Sequence, residues 1–211
     1  MHKESFLKQK KDVAKWMRRL YKRGLTTSLG GNISMRLDDN HIAITASGTD
    51  KGRIKSSGIA IVSMDGEQID GHQPISMETG MHLAIYTARN DVNAIVHAHA
   101  PMGSLFAVVS RGVNTSLLAE AYTILGQPKL AVYAAPGSEE LAMNVAKVAM
   151  NTNVVLMANH GVLAVGNGLL EAFDRIEVLE NAAKMTFLTS LINEKRELTT
   201  EHLVELKRLF G

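Results

Sequence analysis

The chain has no cysteine and only four prolines in 211 residues. Without cysteine there is no disulfide framework, no thiolate nucleophile and no Cys-type zinc site. With so few prolines there is no Pro-rich linker, and no repeat or low-complexity tract divides the chain, so one domain over residues 1–211 is expected. No apolar run approaches the ~18 residues of a membrane span, and the N-terminus lacks a signal-peptide core. A soluble, cytoplasmic chain with no membrane contact is the expectation. Net charge is nearly absent as well: 23 Lys and Arg against 21 Asp and Glu leave +2. The basic residues crowd the start of the chain (Lys8, Lys10, Lys11, Lys15, Arg18, Arg19, Lys22 and Arg23), where they read as a solvated helix face. The remainder is mildly acidic, so the body carries no basic groove for nucleic acid.

What is present is an alternation of strand and helix patterns. Residues 3–23 predict a helix with Val13, Met17, Leu20 and Tyr21 on its apolar side and Gly24 as its stop. Residues 32–36, 41–45 and 59–63 read as strands among Gly, Ser and Asp turns, with Asp65-Gly66 as a hairpin signal. Ser76 is expected to cap a helix at about 77–89, ahead of an apolar strand at 94–99. Pro101 opens another helix and Ser138, followed by Glu139 and Glu140, a further one at 138–150. Two apolar strands, 154–157 and 162–165, flank Asn159-His160-Gly161; helices at 169–193 and 200–209 complete the chain. This order predicts an α/β fold of one layered domain, a central sheet covered by helices.

The chemistry gathers at four residues. In Ile95-Val96-His97-Ala98-His99 the period of a strand points His97 and His99 to one face, about 6.6 Å apart. Two imidazoles so placed chelate a divalent ion, although a hydrogen-bonded surface pair has the same spacing. His160, between two apolar strands, is a third candidate ligand, or a capping residue in a tight turn. Glu78 starts the helix before the histidine strand, which brings its carboxylate back toward His97 and His99; it also fits an acidic residue favoured at a helix N-terminus. Three histidines and a carboxylate form a catalytic zinc set in which water or substrate can take one position. Ser28-Leu29-Gly30-Gly31-Asn32, Thr45-Ala46-Ser47-Gly48 and the Ser76 helix start pair glycine or backbone N–H groups with hydroxyls and an amide. That combination suits a phosphate.

Taken together, Gly-Asn-Ile-Ser at 31–34, Ile-Thr-Ala-Ser-Gly at 44–48, Pro-Ile-Ser-Met-Glu at 74–78, His-Ala-His at 97–99 and Asn-His-Gly at 159–161 resemble the class II aldolase/adducin family. The likeness runs over nearly the whole chain and is strongest toward members that cleave L-fuculose 1-phosphate. It implies a central, mostly antiparallel sheet flanked by helices, and a homotetramer with active sites at subunit interfaces. It also implies one zinc ion per subunit on His97, His99 and His160, with Glu78 both capping the resting metal and acting as acid/base. Gly31, Asn32, Ser47, Gly48, Ser76 and Met77 would bind the substrate phosphate. The implied reaction is retro-aldol cleavage of a ketose 1-phosphate to dihydroxyacetone phosphate and an aldehyde, without a Schiff-base lysine.

Three departures bear on the substrate. Met77 replaces a phosphate-binding Ser, and Phe210 replaces a tail Tyr that helps protonate the aldehyde end. Ala119-Glu120-Ala121-Tyr122 carries a carboxylate where the fuculose-cleaving members use a tyrosine; Glu120 or Tyr122 from a neighbouring subunit could replace the lost tail hydroxyl, or could serve as surface charge and interface packing. A phosphopentulose 4-epimerase, a decarboxylase of a phosphorylated keto acid and a non-catalytic adducin-like head are the alternatives.

Overall fold

The structure, a computed structural model, describes residues 6–210. Helix α1 (Leu7–Lys22) buries Val13, Ala14, Met17 and Leu20. Residues 3–5, where the first helix was also expected, lie outside the described residues. Tyr21 departs from the expected pattern: it is 40% exposed and lies over Gly52 at the rim.

Eight strands make one sheet. β1 (Asn32–Arg36), β2 (His41–Thr45), β3 (Ile59–Ser63) and β4 (Gln68–Asp70) form a meander, closed between β3 and β4 by a turn with Gly66 at positive φ. β5 (Ala94–Ala98), β6 (Lys129–Ala131), β7 (Val154–Met157) and β8 (Gly161–Gly166) complete the order β4-β3-β2-β1-β5-β8-β7-β6. Every pairing is antiparallel except β6 with β7, so the mostly antiparallel sheet is as expected. The short edge strands β4 and β6 carry too little alternation to be legible in advance.

The remaining helices are α2 (Thr79–Ala88), α3 (Pro101–Val108), α4 (Ala119–Leu125), α5 (Glu139–Ala149), α6 (Leu169–Ile192) and α7 (Thr200–Phe210). Pro101 occupies the first turn of α3, and Ser138 caps α5 by accepting from the Leu141 N–H, both as expected. α2 begins two residues later than expected. Ser76 closes a turn of its own, its carbonyl accepting from the Thr79 N–H, and this leaves Glu78 at the helix boundary.

α1, α3, α4 and α6 cover one face of the sheet; α2 and α5 cover the other. Ile33, Val96, Ala98 and Val162 point to the first face, Ile42, Ile95, Leu163 and Val165 to the second. Each fully buried aliphatic side chain stabilises the fold by about 1.5–3 kcal/mol, so both layers are held mainly by hydrocarbon. Among the described residues no helix is long and apolar enough to cross a membrane.

Candidate functional site

The site lies where β1, β5 and the β7–β8 turn meet the start of α2. Asn32 on β1 stands directly opposite His97 on β5, so their side chains share the face toward α2. His99 follows two residues later, just beyond the strand end. His160 comes from the other side of the sheet centre, in the three-residue turn between β7 and β8, where Asn159 takes the left-handed conformation at φ +54. Asparagine tolerates that conformation better than most residues. Gly161 follows because a Cβ there would lie 2.6 Å from the Ala98 carbonyl and 2.9 Å from the His99 ring. Gly31 has φ +66, and its added Cβ would meet the His97 carbonyl at 2.7 Å.

The three imidazoles close on one point. Their ring centres are 4.9 to 5.6 Å apart, and one ligating nitrogen from each lies within 4.8 Å of the others. His97 Nδ1 donates to the Val162 carbonyl at 2.9 Å, which fixes the tautomer and leaves Nε2 as a lone-pair donor. His97 Nε2 and His99 Nε2 are buried and have no hydrogen-bond partner. A buried polar atom without a partner is costly, so nitrogens left this way and aimed together fit a metal ion. Glu78 faces them, with Oε1 3.0 Å from His160 Nε2 and Oε2 3.3 Å from His97 Nε2.

Charge sharpens the arrangement. Burial alone would raise the Glu78 carboxyl, but His97, the His160 contact and the Asn32 hydrogen bond outweigh it and hold it well below the usual carboxylate range. Burial lowers His97 despite the pull of Glu78. His99 is pushed down to about 4, by burial first and then by its two histidine neighbours. Both shifts favour the neutral ring of His97 and His99, the state in which imidazole ligates a metal.

The expected phosphate stations also come together. Asn32 Nδ2 donates to Ser76 Oγ at 3.2 Å and to Glu78 Oε2 at 2.6 Å. The Ser47 N–H donates to the Pro74 carbonyl at 2.9 Å, which ties the Ser47-Gly48 turn to the loop that carries Ser76 and Met77. Gly48 is exposed at positive φ, and Met77 is 73% exposed. Glu120 and Tyr122 sit apart on α4, Glu120 exposed and Tyr122 half-buried. Among the described residues no hydrogen bond or ion pair joins either side chain to the histidine cluster. Phe210 is exposed at the end of α7.

Two residues here were missed by sequence reasoning. Lys51, three positions beyond the Ser47-Gly48 turn, is 2% exposed. Its backbone N–H donates to the Ser28 carbonyl, and its ammonium donates to the Ala46 carbonyl at 3.1 Å and Thr49 Oγ1 at 3.2 Å. Burial pushes it down to about 8 against the opposing charge of Glu78. A buried ammonium behind two candidate anion loops is a counter-charge. The sequence signal was its place in Ser-Gly-Thr-Asp-Lys, which reads as an ordinary polar turn. The second is His82, fully buried on α2 and pushed down to about 3 by burial, with His97 adding to the effect and Glu78 opposing it.

Comparison with known proteins bears on the family and the fold. Residues 11–187 match the model of the family described as Class II Aldolase and Adducin N-terminal domain. The chain is 33% identical over 207 residues to the 3-oxo-tetronate 4-phosphate decarboxylase of Haemophilus influenzae, covering 95% of this chain and 97% of that one. It is 35% identical over 185 residues to the L-fuculose phosphate aldolase of Methanocaldococcus jannaschii, covering 88% and 99%. A solved structure of an L-fuculose 1-phosphate aldolase superposes with a TM-score of 0.87 at 34% identity, covering 95% of each chain.

Proposed function

The chain belongs to the class II aldolase/adducin family, and from that membership we propose that it is a zinc-dependent lyase splitting a ketose 1-phosphate, of the L-fuculose 1-phosphate kind, into dihydroxyacetone phosphate and an aldehyde. One observation carries the reading: three clustered imidazoles, the Glu78 carboxylate and the Asn32 amide converge beside two loops that offer hydroxyl and N–H donors. His97, His99 and His160 would hold one ion per chain, with Glu78 as a further ligand in the resting state; zinc suits neutral imidazoles and a carboxylate. When bound, it supplies a Lewis acid for the negative charge that develops on the substrate's carbonyl oxygen.

The chain's own residues do the rest. Asn32, Ser47 and Ser76, with the backbone N–H groups of Gly31, Gly48 and Met77, orient the phosphate, and Lys51 supplies positive charge from behind. In cleavage the C3–C4 bond breaks as the C4 hydroxyl loses its proton and becomes the aldehyde. Glu78, an ionised carboxylate at rest, takes up a proton from water as substrate displaces it and delivers that proton to C3, giving dihydroxyacetone phosphate. The proton taken from the C4 hydroxyl is returned to water; in condensation both transfers run in reverse. The C4 hydroxyl proton is assigned to Glu120 or Tyr122 of a neighbouring copy in a homotetramer. An active monomer in sedimentation at assay concentration would overturn that shared site.

The test is a product assay on zinc-loaded enzyme with a panel of phosphorylated substrates: L-fuculose 1-phosphate, a 5-deoxypentulose 1-phosphate, L-ribulose 5-phosphate and 3-oxo-tetronate 4-phosphate. Dihydroxyacetone phosphate and an aldehyde in equal yield from a ketose 1-phosphate is the expected result, and no cleavage of any of them overturns the reading. A second reading, decarboxylation of a phosphorylated keto acid, is favoured by the Haemophilus relative that spans nearly the whole chain. Carbon dioxide release from 3-oxo-tetronate 4-phosphate without aldehyde formation selects it.

A further inference from the structure

Along α2, from its N-terminal boundary to its last turn, Glu78, His82 and Tyr86 recur every fourth residue, so their side chains leave one face about 6 Å apart along the axis. On β1, Asn32, Ser34 and Arg36 recur every second residue, about 6.6 Å apart, on the face turned toward α2. The two spacings nearly match, and the side chains interleave as rungs.

Their donor and acceptor roles are forced from one end. A carboxylate only accepts, so the Asn32 atom 2.6 Å from Glu78 Oε2 is the amide nitrogen. Asn32 Oδ1 then faces His82, and because that oxygen also only accepts, the His82 Nε2 2.6 Å away carries the proton. The fully buried ring is neutral, so its Nδ1 accepts, taking the Ser34 hydroxyl at 2.6 Å. Ser34 Oγ in turn accepts from the Tyr86 hydroxyl at 2.8 Å. Beyond it, the Arg36 guanidinium lies over the Tyr86 ring and donates to the Tyr86 carbonyl at 2.7 Å. Ser34, His82 and Tyr86 are fully buried and Asn32 is 3% exposed. Every hydrogen bond from Tyr86 to Glu78 therefore runs in one direction, and burial keeps bulk solvent from replacing a lost partner.

We propose that His82 is a positioning residue for the reaction: donating from Nε2, it locks the Asn32 amide with its NH2 group aimed at Glu78 and the phosphate loop. Ser34 and Tyr86 hold the His82 tautomer from behind. Without that lock the amide can turn over and present its oxygen to two anions, the carboxylate and the substrate phosphate. The role rests on the lyase reading given above.

Nitrogen-15 NMR of the histidine-labelled, zinc-loaded full chain tests the lock directly. The expected His82 signature at neutral pH is a protonated Nε2 and an unprotonated Nδ1; the opposite tautomer or a charged ring overturns the proposal. His82→Leu removes the donor and should lower kcat/KM by about 10–100-fold, weaken binding of inorganic phosphate and leave zinc content unchanged. His82→Gln places an N–H near the position of Nε2 and should recover most of both losses. Wild-type kcat/KM in His82→Leu, or a His82→Gln protein as impaired as His82→Leu, overturns the role. If His82→Leu does not fold, the glutamine variant decides: near-normal turnover supports the lock, and a hundredfold loss refutes it. Should wild-type enzyme cleave no phosphoketose, the lyase reading falls, while the tautomer and phosphate measurements still judge His82 alone.

Discussion

The residues of β1 face two ways. Ile33 and Met35 turn toward α1 and α6, into a layer formed by Val13, Met17, Phe173, Ile176 and Leu179. Asn32, Ser34 and Arg36 turn toward α2, where Glu78, His82 and Tyr86 meet them through hydrogen bonds. The apolar layer depends on volume, and its contacts have no direction, so partial repacking is tolerated. The polar layer depends on direction: each donor is matched to particular acceptors, and a single wrong group leaves a buried atom unpaired. Stability and chemistry are thus written on opposite sides of the same strand.

That division can be attacked from both sides. The largest effect is expected on the polar side from His97→Ala, which leaves two imidazoles and should weaken zinc binding by orders of magnitude. Stoichiometric zinc after dialysis against a mild chelator would refute the ligand set. Glu78→Gln comes next. It should fold and hold zinc on three histidines while turnover falls by about 10²–10⁴-fold; near-normal cleavage would move proton transfer to Glu120 or Tyr122. On the apolar side, Phe173→Ala should destabilise the fold by about 3–5 kcal/mol in denaturant titration. Its kcat, measured below the unfolding transition, should stay close to normal, and a parallel loss of kcat would break the comparison. Lys51→Met should raise KM for the phosphorylated substrate about tenfold with a smaller change in kcat, the worth of one charged hydrogen bond. An unchanged KM would remove Lys51 from the phosphate site.

The smallest expected effect is one of pH. His82 is pushed down to about 3 by burial, with His97 on β5 adding to the effect and Glu78 opposing it. An unfolded chain takes up this proton near 6.5. The stability held in the neutral buried ring is therefore complete above about 6.5 and is lost as pH falls toward about 3. In chelator-treated protein, His82→Gln should show a shallower loss of stability between those pH values than wild type. Equal slopes in the two proteins would mean that His82 does not stay neutral.

The clustering of the candidate metal ligands was legible in the sequence because His97 and His99 obey the two-residue period of a strand, and because Glu78 opens the helix just before it. His160 was legible as a polar residue trapped between two apolar strands. The loops proposed to bind phosphate were legible as Gly/Ser turns, and the helices through caps at Pro101 and Ser138. What stayed hidden depends on partners far away in the chain. The Ser34–His82 and Asn32–His82 hydrogen bonds join residues 48 and 50 positions apart, and His82 alone on an apolar helix face is indistinguishable from a residue that fills space. Lys51 has the same difficulty: its burial comes from the loops at 28 and 46, and its immediate neighbours are polar. The start of α2 was misplaced because Ser76, read as a helix cap, spends its bonds on a separate turn.

The pairing of Asn32 with His97 has a consequence for how the chain finds its register. A slip of one residue along β1 would turn Ile33 and Met35 toward the carboxylate and histidines, and would drive Asn32, Ser34 and Arg36 into hydrocarbon. Both sides of the strand would object at once, one by exposing apolar surface to polar groups and the other by stranding hydrogen-bonding atoms. A chain that pairs wrongly here gains neither the core nor the site. The polar rungs therefore act as a proofreading device for strand alignment, and a β1 stripped of them would be free to settle one residue out of place.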